Sequence, residues 1–534
     1  MTTGQKVPAE RRPTSQAGSK ESSLDLPGTR RWSVLAVLCL AVLVVNVDMT
    51  ILNVALPTLV RKLHASSSGL QWIVDVYAIT FGGLLLVCGS LADRLGRKRL
   101  LLSGFSVFAV GSLGAAVSGT VGVLIAWRAL MGVGAAMTIP AGLSTLDHVF
   151  PDPRERARAV GLWGATIGIG IAIGPLAGGL LLSKFWWGSV FFVNVPLLIV
   201  GLIAGWRLVP ESSNRDAEPA DPCGAILSIV GLGLLLWAII DAPTQGWKST
   251  GVLVAGIGGL ATLAAFVAWE SSHEHPMLKL RYFRSRRFSA AFVALVLGLF
   301  PLLGALFVLT QALQFDLGFS PLQAGLRILP VAALIAGVAP LSTAIVRGIG
   351  SKLTVSAGLA AIAGGLWWSA AASTASATYG GFVPGMLLVG CGAGLLLPTA
   401  ADAILSSVPR AEAGIGSGTY SVAIQVGGAL GVAVIGSMLS TRYQHRITKV
   451  LFSHHVPAGT LHVITGSLGD ALALANSVGG HTGALLARAA RAAFMSGSHL
   501  ALGAGALVAA AATLLVLVAL PSRSSGESDR TGER

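Results

Sequence analysis

Val44–Pro57 reads VVNVDMTILNVALP, and it sets a carboxylate, Asp48, deep inside a run that otherwise has the composition of a lipid-spanning helix. An Asp at the centre of a membrane helix costs roughly 2.5–3.5 kcal/mol, so it persists where it faces protein or water. At about 100° per residue, Asn46, Thr50, Asn53 and Pro57 fall on one stripe, and Asp48 points to nearly the opposite side. Polar groups on both faces exclude a position at the lipid boundary. This is an inner helix, with one side packed or hydrogen-bonded to its neighbours and the other facing a wet cavity.

The chain repeats such runs. Of its 534 residues 53% are hydrophobic and 11% charged, and the mean hydropathy is +0.75. That is a polytopic membrane protein of the all-α class. Runs of about 20 apolar residues fall near 32–54, 70–92, 100–119, 121–146, 158–182, 188–209, 223–243, 250–270, 288–310, 322–346, 352–373, 380–406, 415–440 and 499–521, fourteen in all. An even number puts both termini on one side. With the amino terminus inside, the inner segments carry most of the 37 Lys and Arg, KLRYFRSRR at Lys279–Arg287 above all, and both tails are cytoplasmic. The net charge of +14 is thereby assigned to the lipid bilayer and not to nucleic acid. The first thirty residues are polar and basic, with no cleavable leader.

The polar linker RLVPESSNRDAEPADP (Arg207–Pro222) follows six helices, and six more follow the basic stretch. The division is a tail 1–31, a six-helix bundle 32–210, a linker with two inserted helices 211–280, a second bundle 281–522 and a tail 523–534. Two equal bundles imply an internal repeat with a site at their interface. The outer segment 441–498 is long. Within it TGALLARAARAAF (Thr482–Phe494) has the composition of a short amphipathic helix on the outer surface, a solvated loop being the equal alternative.

Depth along the helices, at about 1.5 Å per residue, brings three charges to one level: Asp48, Asp75 in WIVDVY, and Arg128 in the fourth run. Arg128 then serves as counter-charge, unless it or Asp75 snorkels to the outer surface. A carboxylate in this setting exchanges protons as its surroundings change, which is the chemistry of a proton-coupled carrier. Proton exchange at Asp48 requires that water reach it. GSLADRLGRKRLLL (Gly89–Leu102) is a glycine-punctuated turn in which Asp93 can pair with Arg97 or cap a helix. In GATIGIGIAIGPLAGGLLL (Gly164–Leu182), Gly164, Gly168, Gly174, Pro175, Gly178 and Gly179 share an arc of about 140° that lets another backbone approach.

These residues resemble the major facilitator superfamily, and within it the fourteen-helix drug:proton antiporters of the multidrug efflux type. The resemblance rests on DMTILNVALP (Asp48–Pro57), GSLADRLGRKR (Gly89–Arg99), RALMGVGAAMTIP (Arg128–Pro140) and GIGIAIGPLAGG (Gly168–Gly179), with WIVDVY and FFVNVP (Phe191–Pro196) in support. It implies proton coupling through Asp48, Asp75 and Arg128, a gating loop of Gly89, Asp93, Arg94, Gly96 and Arg97, and an antiporter hinge at Gly168, Gly174, Pro175, Gly178 and Gly179. In the second half LSTAIVRGIGSKL (Leu341–Leu353) lacks the acid of the loop motif, and Asp402 has no assigned role.

The expected function is a proton-coupled exporter in the bacterial plasma membrane, a monomer moving small amphipathic molecules, cationic ones included. Asn53, Trp72, Tyr77, Trp127 and Trp163 are expected to line its substrate cavity. A dedicated exporter of one metabolite or self-made antibiotic is the alternative, and a membrane enzyme or receptor a remote one. No nucleotide loop, zinc motif or nucleophile elbow is present. Four scattered cysteines and ten histidines, mostly in loops, give no metal set, so no cofactor beyond the coupling proton is expected.

Overall fold

The computed structural model describes residues 28–213, 219–409, 412–452 and 458–521. The amino-terminal tail up to residue 27 and the carboxyl-terminal tail from 522 lie outside them. The first bundle holds α1 (Gly28–Leu63), α2 (Ser67–Leu95), α3 (Arg97–Ala116), α4 (Val121–Val149), α5 (Pro153–Lys184), and a sixth crossing made of α6 (Ser189–Phe192) and α7 (Asn194–Leu208). The hairpin α8 (Pro222–Gln245) and α9 (Thr250–Ser272) follows. The second bundle holds α10 (Arg286–Gln311), α11 (Pro321–Ala372), α12 (Tyr379–Leu405), α13 (Ala413–Phe452) and α16 (Gly480–Ala519), with α14 (Ala458–Gly466) and α15 (Leu468–Val478) in the outer segment.

Thirteen of these helices, α6 and α7 counted together, are long and apolar enough to cross a membrane. The 52 residues of α11 extend to about 78 Å at 1.5 Å per residue, far beyond one bilayer core. The backbone leaves helical geometry at Gly350 (φ 85°, ψ 161°), so α11 is two crossings joined end to end, which makes fourteen. Gly96, at the corresponding turn between α2 and α3, has φ 109°. Both turns use a backbone conformation that a Cβ disfavours, which is why glycine closes each. The second turn keeps that glycine although it lacks the acid.

The break between α6 and α7 has a local cause. Pro196 has no N–H to offer the Phe192 carbonyl, so the turn around Val193 loosens and Asn194 opens a new helix, fully buried. In the outer segment, Thr482–Phe494 is the first part of α16 in line with the last crossing, and not a separate helix on the membrane surface. Its Ala490, Ala493 and Phe494 are buried, and Gly483 lies against the Ala475 carbonyl of α15, so its apolar face is spent on protein.

The outer segment caps the molecule. Ser67 Oγ donates to the Gly466 carbonyl at 3.1 Å, Tyr443 Oη to that of Ile464 at 2.8 Å, and Gly469 sits between Val60 of α1 and Phe315 in the π-helical turn that follows α10. At the opposite, basic face a strap joins the inserted hairpin to α13. The Tyr282 hydroxyl donates to Glu412, Arg281 reaches the same carboxylate at 2.5 Å and Lys279 at 3.6 Å. The Tyr282 hydrogen bond first, and the two cations after it, hold the Glu412 carboxyl below its ordinary value. A depressed folded-state value stabilises above the unfolded value and is lost as pH falls through the folded one. Glu412→Gln is therefore expected to remove part of the acid sensitivity of the thermal midpoint, measured on purified protein from pH 7 downward.

Candidate functional site

The stripe read from Val44–Pro57 divides as its geometry requires. Asn46, Thr50 and Asn53 line a central cavity of about 280 Å³, where Asn46 and Asn53 donate back to the carbonyls of Val42 and Met49. Thr50 Oγ1 also reaches the Gly170 carbonyl of α5 at 3.3 Å. Asp48 points the other way, into the first bundle.

There it is enclosed. Asp48 Oδ2 accepts from Arg128 Nη1 at 2.5 Å and Oδ1 accepts from Asn194 Nδ2 at 3.1 Å. Asp48 is 0% exposed and Arg128 1%. Arg128 Nε donates to the Ile73 carbonyl at 3.1 Å, and its guanidinium lies 4.3 Å from the centre of the Tyr77 ring. The ion pair thus ties α1 to α2, α4 and α7. Its two charges cancel where water is scarce, and each has further hydrogen bonds, as a buried pair requires. Arg128 lines the cavity and Asp48 is absent from its wall, so the reach of water to Asp48 expected from the sequence is not seen in this conformation.

Asp75 is the second acid, and it is not in that pair. It is 0% exposed, it lines the cavity beside Tyr77 and Arg128, and neither carboxylate oxygen has a hydrogen-bond partner among the described residues. The Tyr77 hydroxyl is likewise buried without one. Around them the cavity wall is mostly aliphatic, with Leu299, Leu302 and Leu306 of α10, Ile328 and Ile335 of α11, and Tyr420 and Gln425 of α13.

Of the five residues expected in the cavity, Asn53 and Tyr77 line it. The three tryptophans do not. Trp72 packs against the cluster that holds Leu236 and Ile240 of α8, Trp127 packs on Gly114 of α3, and Trp163 is buried against Gly142 of α4. Asn194 is a site residue that the sequence does not single out, although it stands in FFVNVP. A neutral amide in an apolar run is a fainter signal than a charge.

Tyr420 lines the cavity and the next residue, Ser421, a vestibule of about 720 Å³ at the basic face. Gly89, Asp93, Asp147, Lys279 and Glu412 are on the vestibule wall. Asp93 accepts from Arg97 Nη2 at 2.9 Å, one turn on, and from Ser144 Oγ of α4 at 2.9 Å. Arg94 is exposed, and Gly96 makes the turn beside the Glu211 carboxylate. Asp402 lies 3.9 Å from Arg287 at the same face.

The opposite face is shut by close backbone approach. Gly174 and Gly178 lie on Thr50 and Ile51 of α1. Pro175 and Gly179 meet the other bundle: a Cβ at Gly179 would stand 2.6 Å from Leu322 Cα, and one at Gly325 would fall on the Pro175 carbonyl. A Cβ at Gly168, about midway along α5, would meet none of the other described residues within 4 Å. Gln314 Nε2 of the second bundle donates to the Val54 carbonyl at 2.9 Å. Gly325→Val is therefore expected to overpack this contact by about 1–3 kcal/mol and shift the protein away from the conformation described. The check is a rise in the reactivity of a cysteine placed at Leu322 toward an external thiol reagent.

A cavity between two six-helix bundles, with a vestibule at one face, has parallels among known proteins. Residues 38–432 match the Major Facilitator Superfamily. The chain belongs to the major facilitator superfamily. Among its relatives within that superfamily is the multidrug efflux pump LfrA of Mycolicibacterium smegmatis, 35% identical and covering 91% of this chain and 96% of the relative. The methyl viologen resistance protein SmvA of Salmonella typhimurium is 33% identical, covering 92% and 97%. The tetracenomycin C resistance and export protein of Streptomyces glaucescens is 31% identical, covering 93% and 94%. In fold this major facilitator protein is similar to a bacterial homologue of the human lysosomal transporter Spinster in its inward-facing, unoccupied conformation, with TM-score 0.67, 16% identity and coverage of 94% and 100%. It is a multi-pass protein of the bacterial cell membrane and a transporter, not an enzyme.

Proposed function

We propose that this transporter is a proton-coupled exporter, exchanging external protons for amphipathic small molecules, cationic ones included, by alternating access. The observation that carries the reading is Asp75, a fully buried carboxylate with no hydrogen-bond partner among the described residues, on the wall of a mostly aliphatic cavity. A lone buried charge is costly, so it is balanced either by a proton or by a cation in the cavity. One site that takes either, but not both, makes exchange obligatory. The neighbouring Asp48–Arg128 pair balances itself and leaves Asp75 as the free charge; Asp48 joins the proton path when Arg128 moves.

The basic face is cytoplasmic on this reading, so the vestibule admits cargo from inside. Asp93, Arg97 and Ser144 hold that face in its present arrangement, and the glycine contacts of α5 hold the outer face closed. Rocking of the bundles exchanges the two. That relatives bear the names of efflux and resistance proteins supports export as the direction. The test is efflux of a cationic dye from cells making the protein, with and without a proton uncoupler. Export abolished by the uncoupler is expected, and export unaffected by it contradicts proton coupling. A panel of unrelated dyes separates a broad exporter from one dedicated to a single metabolite.

A further inference from the structure

The inserted helix α8 lies over the seam between α2 and α13, with Leu236 and Ile240 buried among Ala78, Ile79, Ala429 and Ala433. At the basic face the two ends of the inserted hairpin meet through a pair of carboxylates. Asp221 caps α8: its Oδ1 accepts from the Gly224 N–H at 2.9 Å, and its Oδ2 accepts from Trp269 Nε1 of α9 at 2.9 Å. Glu270, the next residue of α9, accepts from the Leu278 N–H at 2.9 Å through Oε2. Asp221 is 3% exposed and Glu270 2%. Three of the four carboxylate oxygens thus have a donor, and the fourth, Glu270 Oε1, has none among the described residues.

That oxygen is aimed at the other acid. Asp221 Oδ2 and Glu270 Oε1 each stand 2.6 Å from the point a Cβ on Gly224 would take, so the glycine keeps the space between them clear. Among the described residues no cation forms an ion pair with either acid: Lys279 and Arg281 reach Glu412, and His273 stacks on the Trp269 ring at 4.9 Å. The remaining titratable groups near them, Cys223, Glu274 and His275, are exposed, and Asp93 and Asp147 are across the vestibule wall that Asp221 shares. Two buried carboxylates facing one another without a cation are costly when both are charged. One proton removes the conflict and supplies the donor that is missing. The charge belongs on Asp221, where the capped amino terminus of α8 favours an anion, and the proton on Glu270 Oε1, donated to Asp221 Oδ2.

We propose that Asp221 and Glu270 form a proton-binding site at the root of the inserted hairpin, separate from the central cavity, and that its proton governs the strap to α13. Asp221 lines the vestibule, so the proton comes from the face that is cytoplasmic on the reading above. Glu270 holds the strap at Leu278, and Lys279, Arg281 and Tyr282 of the strap hold Glu412, the residue before α13. With the proton bound, hairpin, strap and α13 are joined. With it lost, two like charges face one another, water enters between them, and the hold on Leu278 loosens. The inserted hairpin thereby acquires a task, which is to make the inner end of the second bundle responsive to internal pH.

The test uses full-length purified protein carrying Asp75→Asn, which silences the cavity acid, so neither readout depends on export or on its coupling to protons. Infrared spectroscopy at neutral pH is expected to show a protonated-carboxyl band that Glu270→Gln removes and that Asp221→Asn makes titrate at lower pH. Hydrogen exchange of the Leu278 amide, corrected for the intrinsic effect of pH, is expected to quicken at least about fivefold between about pH 6 and about pH 9. In Glu270→Gln it is expected to stay slow throughout, because the amide imitates the protonated acid, donating to Asp221 and accepting from Leu278. A band that survives Glu270→Gln, Leu278 exchange indifferent to pH before that change, or exchange that follows pH just as steeply after it would each overturn the proposal. Thermal midpoints at about pH 6, where the pair holds its proton, are expected to agree among the three proteins to within a few degrees and report on folding.

Discussion

Asp75→Asn is expected to abolish proton-driven export while leaving the protein folded and in the membrane in parental amounts. The two halves of this expectation come from the same observation. Neither oxygen of Asp75 is hydrogen-bonded to any of the described residues, so an amide of nearly the same shape breaks no hydrogen bond there. It removes the one group that can hold a proton or balance a cation at that point of the cavity. If the carboxylate supplies a charge-assisted contact worth about 2–3 kcal/mol, cargo affinity falls by roughly 30- to 150-fold, and coupling is lost altogether because nothing titrates in its place. Dye efflux under an imposed pH gradient measures both. Asp75→Glu keeps the charge and is expected to retain part of the activity, which a purely steric role would not allow.

Breaking the Asp48–Arg128 pair is expected to have the other large effect, and of a different kind. Asp48→Asn leaves a guanidinium 1% exposed with no counter-charge, a situation that costs about 3–5 kcal/mol. Arg128→Ala does the same to Asp48 and also removes the hydrogen bond to Ile73 and the contact with the Tyr77 ring. Both variants are expected to show lowered thermal midpoints and reduced amounts in the membrane. The double variant Asp48→Asn, Arg128→Gln is expected to recover much of that stability, since neither member of the pair is left charged without the other, but not export. Thermal unfolding of the purified single and double variants reads the coupling directly. Additive losses would mean that the pair does not act as one unit.

Much of this arrangement is legible because a membrane constrains sequence so strongly. Lipid offers backbone groups no partner, so every crossing must be a long apolar helix, and charges within one stand out. Asp48, Asp75 and Arg128 emerge in that way, as does the division of α1 into a stripe of Asn46, Thr50 and Asn53 with Asp48 opposite. Depth along the axis is also readable, and it places the three charges at one level. How each helix is rotated against its neighbours is not. For that reason sequence alone does not tell which acid faces Arg128, nor that the other stands alone on the cavity wall. The same ignorance of rotation misplaces Trp72, Trp127 and Trp163, whose bulk suits packing on Gly114 or Gly142 as well as it suits a ligand. Helix α8 is apolar all round, so nothing in its composition shows that one side covers the α2–α13 seam. The break in α11 at Gly350 falls between the runs 322–346 and 352–373 that the sequence separates, in Leu341–Leu353, where the loop motif stands without its acid.

At the centre of this mechanism one carboxylate, Asp75, holds a proton that cargo must displace. The direct measurement is proton release from purified protein in weakly buffered detergent solution when a cationic dye is added. The parent protein is expected to release a proton on binding dye, added acid to weaken that binding, and Asp75→Asn to release none. Dye binding by the parent without proton release, or the same release from Asp75→Asn, would contradict the mechanism.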